Sequence, residues 1–178
     1  MKIVMITGSP HKKGTSALLA EEFVHGAEEA GHSVVRFDAA FQTVGPCRAC
    51  NFCKNHEGVC VQKDDMEPLY PALLEAELVV FVTPLYYFGM SAQIKHVIDR
   101  FFARNKELMA SGKKAALLAT CADREPWALD ALTAHYRSIC RYLNWEDIGM
   151  VLAPGVSVRK DIEETDYPEK ARQFGASL

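Results

Sequence analysis

Short apolar runs that alternate with amphipathic segments limit what this chain can fold into. Five such runs recur along its 178 residues: KIVMIT (2–7), SVVRFD (33–38), AELVVFVT (76–83), KKAALLAT (113–120) and IGMVLAP (148–154). They lack strict polar–apolar alternation and contain many β-branched residues, a pattern typical of strands buried on both faces of a parallel sheet.

Helical patterns lie between these runs. The clearest has apolar residues at i, i+3, i+4, i+7 and i+8, and the first repeats an apolar residue every four positions until Gly31. Asp64 or Asp65 can cap the second helix, and Pro126 suits the first position of the fourth. The predicted helices cover residues 15–31, about 65–74, 91–102, 126–143 and 167–176. This alternation predicts a single three-layer α/β domain over residues 1–178, with right-handed crossovers.

Charge and hydropathy exclude two classes of partner. The formal charge of −3 gives no clustered basic face for nucleic acid. The longest apolar stretch is far below the roughly 20 residues of a membrane span, and MKIVMIT is too short for a signal peptide. We therefore expect a cytoplasmic protein, in which clustered cysteines more often bind metal or act in catalysis than form disulfides.

Two predicted strand ends carry unusual loops. The glycine loop, GSPHKKGTS (8–16), offers flexible backbone, hydroxyls and the start of a helix, so it favours phosphate binding over an ordinary turn with polar caps. It matches neither a Walker A motif nor G-x-G-x-x-G. The aromatic loop, TPLYYFGMS (83–91), places three aromatic residues together. A flat ligand would cover them, although a dimer contact or a small satellite core would do so as well.

A third loop, ATCAD (119–123), would close the site, although Cys121 by itself suggests only a small buried residue. Ligands of open parallel sheets bind beyond the carboxyl ends of the strands, where strand order reverses. A phosphate loop, a loop for a planar ring and a closing loop together describe a mononucleotide pocket. FMN is the candidate ligand.

The order of these motifs resembles the NAD(P)H-dependent FMN reductase branch of the flavodoxin-like flavoproteins, over essentially the whole chain. The resemblance implies a five-stranded parallel sheet in the order 2-1-3-4-5, helices on both faces, non-covalent FMN and a homodimer or homotetramer. It implies phosphate contacts from one group of residues and ring contacts from two others: Ser9, His11, Gly14, Thr15 and Ser16; then Pro84, Leu85, Tyr86, Tyr87, Phe88 and Gly89; then Ala119, Thr120, Cys121 and Ala122. His11 stands where the family often has arginine or lysine, so Lys12, Lys13 or backbone amides would hold the phosphate instead.

The cysteine loop, residues 39–63, contains four of the six cysteines: Cys47, Cys50, Cys53 and Cys60. This spacing resembles the iron–sulfur flavoproteins, which implies a [4Fe–4S] cluster. Bare thiols and zinc remain open alternatives, and His56 could replace one ligand.

The predicted function is FMN-dependent electron transfer with no catalytic acid or base from the protein. NAD(P)H or a ferredoxin-like protein would exchange electrons with a small acceptor. The alternative is a non-enzymatic zinc-binding sensor or scaffold. A phosphatase is set aside, because no C-x5-R motif stands at a strand end.

Overall fold

The computed structural model describes residues 1–125 and 127–178. Its strands form one parallel sheet in the order β2-β1-β3-β4-β5, which confirms the predicted order. The strands are β1 (Lys2–Thr7), β2 (Ser33–Asp38), β3 (Leu78–Pro84), β4 (Lys114–Thr120) and β5 (Glu146–Ala153). Because the order reverses between β1 and β3, their carboxyl ends open a crevice there.

The helices follow the predicted pattern, with differences at their ends. They are α1 (Thr15–Glu29), α2 (Met66–Glu75), α3 (Ala92–Arg100), α4 (Asn105–Ala110), α5 (Asp130–Leu143), α6 (Arg159–Glu163) and α7 (Tyr167–Ala176). The short helices α4 and α6 were not predicted, since they contain too few residues for a periodic pattern. The predicted helix start at Pro126 lies outside the described residues.

Two cores cover the two faces of the sheet, which confirms the three-layer fold. Alternate strand residues such as Val4 and Phe81 pack under α2, α3 and α5. Their neighbours, such as Met5 and Val80, pack under α1, α6 and α7. The central strands are buried on both faces for this reason, and their sequences are apolar without alternation.

The edge strand β2 differs from the prediction, because Val35 is exposed and only Phe37 of the strand is buried. No described helix is both long and apolar enough to cross a membrane.

Candidate functional site

A cleft of about 740 Å³ lies at the carboxyl edge of the sheet, where the strand order reverses. This volume falls within the range of small-molecule sites, about 300–1,000 Å³. It brings together parts of all three predicted loops. The predicted residues that line it are Ser9, His11, Gly14, Thr15, Pro84, Leu85, Tyr86, Thr120 and Ala122.

Backbone hydrogen bonds hold the glycine loop in a tight curl. The Gly8 amide donates to the Val82 carbonyl at 2.9 Å, and the Gly14 amide donates to the His11 carbonyl at 3.0 Å. The His11 amide donates to the Ser9 hydroxyl at 3.1 Å. These bonds keep the loop close to the carboxyl end of the sheet and direct it into the first turn of α1.

The amino terminus of α1 faces the cleft without a side-chain cap. Gly14 is the N-cap residue, and no described side chain accepts a hydrogen bond there. Thr15, Ser16 and Ala17 are nevertheless buried, and their amides precede the first donors of the helical ladder. The first amides of a helix have no acceptor within the helix, so at the positive end of the helix dipole they form a site suited to an anion.

Positive side chains surround this helix end. Lys12, Lys13 and Arg159 all line the cleft. Hydrogen bonds from Arg159 to Glu21 and Glu163, at 3.0 and 2.9 Å, raise the pKa of its guanidinium and fix its position. The charge of Arg159 is thus balanced by its two carboxylate partners, and Lys12 and Lys13 are the lining residues that add positive charge to the helix end.

One buried hydrogen bond joins two of the predicted loops. The Thr15 hydroxyl donates to the Thr120 hydroxyl at 2.9 Å, and the Thr120 carbonyl accepts from the Leu85 amide at 2.8 Å. The three loops are thus held at fixed separations by bonds at the strand ends.

The aromatic loop forms a two-residue turn at the mouth of the cleft. Tyr86 and Gly89 exchange two backbone hydrogen bonds of 3.1 Å each. Between them, Tyr87 and Phe88 have φ values of 46° and 62°, a left-handed conformation that aromatic residues rarely adopt. Tyr87 is fully exposed at 102%. Strained backbone of this kind concentrates at ligand sites.

The remaining predicted residues do not line this cleft. Ala119 and Cys121 face the core, where burial raises the pKa of the Cys121 thiol, and alternation along β4 leaves Thr120 and Ala122 in the cleft. Ser16 lines a neighbouring cleft. The ring of Phe88 stacks on Trp127, with centroids 5.1 Å apart. Tyr87 and Gly89 belong to the turn of the aromatic loop but do not line the cleft.

A fourth loop, after β5, forms a wall that was not predicted. It consists of four residues that line the cleft: Val156, Ser157, Val158 and Arg159. The Asp161 carboxylate accepts hydrogen bonds from the Ser157 and Val158 amides at 2.8 and 3.0 Å. The sequence contains a Gly155-Val156 pair in this stretch, but only the order of strands places it beside the loop after β4, where the Val156 amide donates to the Cys121 carbonyl at 2.9 Å.

The four cysteines of the cysteine loop line one small pocket, together with Arg100 and Phe102. Cys47 and Cys50 are exposed, whereas Cys53 and Cys60 are partly buried. Ala49 and Asn51, which flank Cys50, both have left-handed backbone, so the chain curls at this point. No three His, Cys, Asp or Glu side chains among the described residues are placed to hold a single metal ion.

A buried ion pair anchors this loop to the fold. Arg100, 1% exposed, donates to both carboxylate oxygens of Asp64 at 2.6 and 3.0 Å and to the Gly45 carbonyl at 3.0 Å. Its sequence neighbour Asp99 pairs with Lys95 instead. Arg100 thus holds both ends of the segment that contains the cysteines.

Comparison with known families agrees with this arrangement. The family model described as NADPH-dependent FMN reductase matches residues 1–158. The chain belongs to this family.

The relatives of this FMN reductase family member include proteins named as iron–sulfur flavoproteins and a protein named as an oxidoreductase. An iron–sulfur flavoprotein of Archaeoglobus fulgidus is 42% identical over 98 residues, which cover 55% of this chain and 49% of that protein. YwqN of Bacillus subtilis, whose name describes an NAD(P)H-dependent FMN-containing oxidoreductase, is 26% identical over 87% of this chain and 86% of its own. The chain thus spans about half the length of the iron–sulfur flavoprotein.

Solved structures share the fold. An FMN-dependent NADH-azoreductase from Bacillus anthracis, solved in complex with FMN, superimposes with a TM-score of 0.72 at 14% identity, over 99% of both chains. This likeness supports the fold of the FMN reductase family member. Because the identity is so low, its chemistry has to be argued from its own residues.

Proposed function

We propose that this chain is an FMN-dependent oxidoreductase whose flavin occupies the cleft at the carboxyl edge of the sheet. The observation that carries the proposal is the buried, uncapped amino terminus of α1, which opens into a cleft of about 740 Å³. Family membership and the azoreductase of the same fold that contains FMN support it.

The flavin phosphate would lie at the start of α1. The amides of Thr15 and Ser16, the hydroxyl of Ser9 and the ammonium groups of Lys12 and Lys13 are the donors near this end. His11 and Gly14 shape the loop, since a Cβ at Gly14 would lie 3.0 Å from the His11 Cβ. The donors fit a phosphate group in number and charge.

The flavin ring would lie along Pro84, Leu85 and Tyr86, with Thr120 and Ala122 at its other edge. Tyr87 and Phe88 would exclude water from the mouth of the cleft, and Gly89 would close the turn that carries them. When bound, FMN supplies hydride acceptance at N5 and release of electrons singly or in pairs. The residues of this chain bind and orient it, and none is assigned as an acid or base.

We infer further that the cysteine loop holds a [4Fe–4S] cluster. Four cysteines line one pocket, four thiolates are the donor set that such a cluster requires, and several relatives are iron–sulfur flavoproteins by name. Zinc would need four ligands arranged tetrahedrally around one ion. No three possible ligands among the described residues are placed in that way, so the arrangement gives zinc no support. Nothing in the comparisons supports the zinc sensor.

With the cluster present, electrons would pass between a ferredoxin-like protein or NAD(P)H and a small acceptor. With the flavin alone, NAD(P)H would reduce a quinone or nitro compound. We propose a homodimer or homotetramer as the assembled form, because the exposed aromatic loop stands at the mouth of the cleft.

Flavin binding is tested by titrating the apoprotein with FMN in a calorimeter. The Thr15→Val variant keeps the shape of the side chain but removes the donor to Thr120, and we expect FMN affinity to fall about tenfold, or ~1.4 kcal/mol. Ser138→Ala, on the exposed side of α5, is the matched control. Absence of FMN binding by the wild type would refute the proposal.

The cluster is tested by anaerobic reconstitution with iron and sulfide. A broad absorbance near the flavin bands that bleaches on reduction, with four irons per chain expected from the cubane, would support it. Replacing any one of the four cysteines of the cysteine loop by serine should abolish this absorbance: Cys47, Cys50, Cys53 or Cys60. Cys140→Ala, in the core, should retain it, and a wild type with flavin bands alone would refute the cluster and leave the flavin proposal intact.

A further inference from the structure

Arg100 has one buried donor that its known contacts do not use. Its Nη1 and Nη2 atoms donate to the two carboxylate oxygens of Asp64, and Nη1 also donates to the Gly45 carbonyl. The Nε atom is buried and has no hydrogen-bond partner among the described residues. Buried N–H groups of folded proteins nearly always have an acceptor, so this donor indicates a bound group that accepts from it.

The geometry of the guanidinium determines where this donor points. The group is planar, and its N–H bonds diverge in fixed directions. Asp64 occupies the end of the fork, between Nη1 and Nη2, so the Nε–H bond points away from that carboxylate. Arg100 also lines the small pocket that the four cysteines share. Sulfur is therefore the acceptor that this pocket can supply.

Arg100 belongs to the inner wall of this pocket. Cys53 and Cys60 are partly buried and pack against the core, whereas Cys47 and Cys50 are exposed. Burial by itself would lower the pKa of the Arg100 guanidinium, and its hydrogen bonds to Asp64 raise it above its ordinary value. The negative charge of the Cys60 thiolate acts in the same direction, which places Cys60 close to the guanidinium.

A donor at this position has a defined effect on an iron–sulfur cluster. Hydrogen bonds to the sulfur atoms are one of the factors that set the reduction potential of such clusters. When the cluster gains one electron, the negative charge on its sulfur atoms increases, and no proton has to move. An N–H group held in a fixed direction therefore stabilises the reduced form more than the oxidised form. It raises the reduction potential.

We propose that Arg100 tunes the cluster of the cysteine loop, because its Nε–H group donates a hydrogen bond to a cluster sulfur atom beside Cys60 and thereby raises the reduction potential. This inference rests on the proposed function, since it requires the cluster. It is a second role for Arg100, because the anchoring of the loop uses Nη1 and Nη2 alone.

The test measures the midpoint potential of the reconstituted holoprotein by an anaerobic redox titration that follows the EPR signal of the reduced cluster. Arg100→Lys keeps the positive charge beside Asp64 but lacks the Nε donor. At the midpoint potential of the wild type, its ratio of oxidised to reduced cluster should be about tenfold higher, which is a midpoint lower by ~59 mV for one electron. Arg48→Lys is the matched control, since Arg48 is an exposed arginine that lines the same pocket. It should leave the midpoint unchanged.

Asp64→Asn separates the hydrogen bond from the anchoring of the loop. It weakens the anchor but retains the Nε donor, and it removes a negative charge, so it should not lower the midpoint. If it lowered the midpoint as much as Arg100→Lys, a loosened loop would explain both results and the inference would be overturned. An unchanged midpoint in Arg100→Lys would overturn it as well.

The wild type supplies a second test, which also serves if Arg100→Lys fails to assemble a cluster. Pulsed EPR of the reduced cluster, in protein that contains arginine labelled with ¹⁵N at Nε, should show a coupling that persists in Arg48→Lys. Absence of this coupling would overturn the inference. A wild type that binds FMN but assembles no cluster would instead refute the cluster proposal and leave the flavin site standing.

Discussion

Replacing Arg100 by methionine should destabilise the protein and release the cysteine loop. Arg100 is 1% exposed, and its partner Asp64 is 9% exposed, so the pair is shielded from solvent. The substitution removes three hydrogen bonds of 2.6–3.0 Å, while the methionine stem preserves part of the packing. It leaves the Asp64 carboxylate buried without its counter-charge.

The expected loss of unfolding free energy is about 3 kcal/mol, at the lower end of the range for a broken buried pair. The lower end applies because Asp64 keeps hydrogen bonds from the Gly45 and Met66 amides at 3.1 and 3.2 Å. Urea denaturation at neutral pH measures this loss. Trypsin cleavage after Arg48 or Lys54, within the cysteine loop, should accelerate in parallel.

A double-mutant cycle separates the ion pair from general packing. Asp64→Leu should cost a similar amount, and the Arg100→Met/Asp64→Leu double variant should cost at least about 2 kcal/mol less than the sum of the single changes. Lys63→Met is the control: its partner Glu67 and Lys63 itself are largely exposed, so its loss should stay below about 1 kcal/mol.

The pH dependence gives a second readout. Burial by itself would raise the pKa of Asp64, but hydrogen bonds from Arg100, Gly45 and Met66 lower it below its ordinary value of 3.8. A carboxyl group with a lowered folded pKa stabilises the protein above its unfolded pKa, and this stability is lost as pH falls through the folded pKa. Wild type should therefore lose stability below about pH 4 more steeply than Arg100→Met. If Arg100→Met were as stable at neutral pH as the control Lys63→Met, this reasoning would be refuted.

Three further changes test the packing of the fold by denaturation. Gly26→Ala should cost about 1–3 kcal/mol, because its Cβ would lie 2.0 Å from the Arg172 carbonyl of α7. Ser91→Ala should cost about 1–2 kcal/mol, since the buried Ser91 hydroxyl caps α3 and donates to the glycine loop. Tyr70→Phe should cost about 1 kcal/mol at pH 8 by losing a bond to the Arg100 carbonyl. Burial raises the pKa of Tyr70 to about 12 from 10.0, so the wild type should lose this advantage as pH rises between those values.

The strands of the sheet could be predicted from the sequence because the apolar pattern of each strand involves only residues close together in the chain. Continuous apolar runs without alternation occur only where both faces of a strand are covered, and β1, β3 and β4 satisfy this condition. The same rule was wrong for the two edge strands, β2 and β5, in which most residues are at least partly exposed. An edge strand has a neighbour on one side only. The local apolar pattern does not show which strands stand at the edges, and only the family resemblance implied that order.

The glycine loop and the aromatic loop were predicted to be parts of a site because glycines, hydroxyls and clustered aromatics are unusual in short turns. The distance between these loops in space could be known only from the tertiary structure. The bond between Thr15 and Thr120 spans 105 residues, and the wall after β5 reaches the cleft only through the order of strands. Arg100 likewise pairs with Asp64, 36 residues away in the chain, and only the fold brings the two together.

The sequence by itself determined the alternation of strands and helices, the helix start at Thr15 and the set of four thiol groups in the cysteine loop, because each depends on residues close together in the chain. Tertiary structure alone decided which of those residues share a cleft, that a second cleft adjoins the glycine loop at Asp38 and Phe41, and that Arg100 holds the cysteine loop in place. The physical reason is that burial, ion pairing and cavity shape depend on contacts between distant segments, which local periodicity does not record.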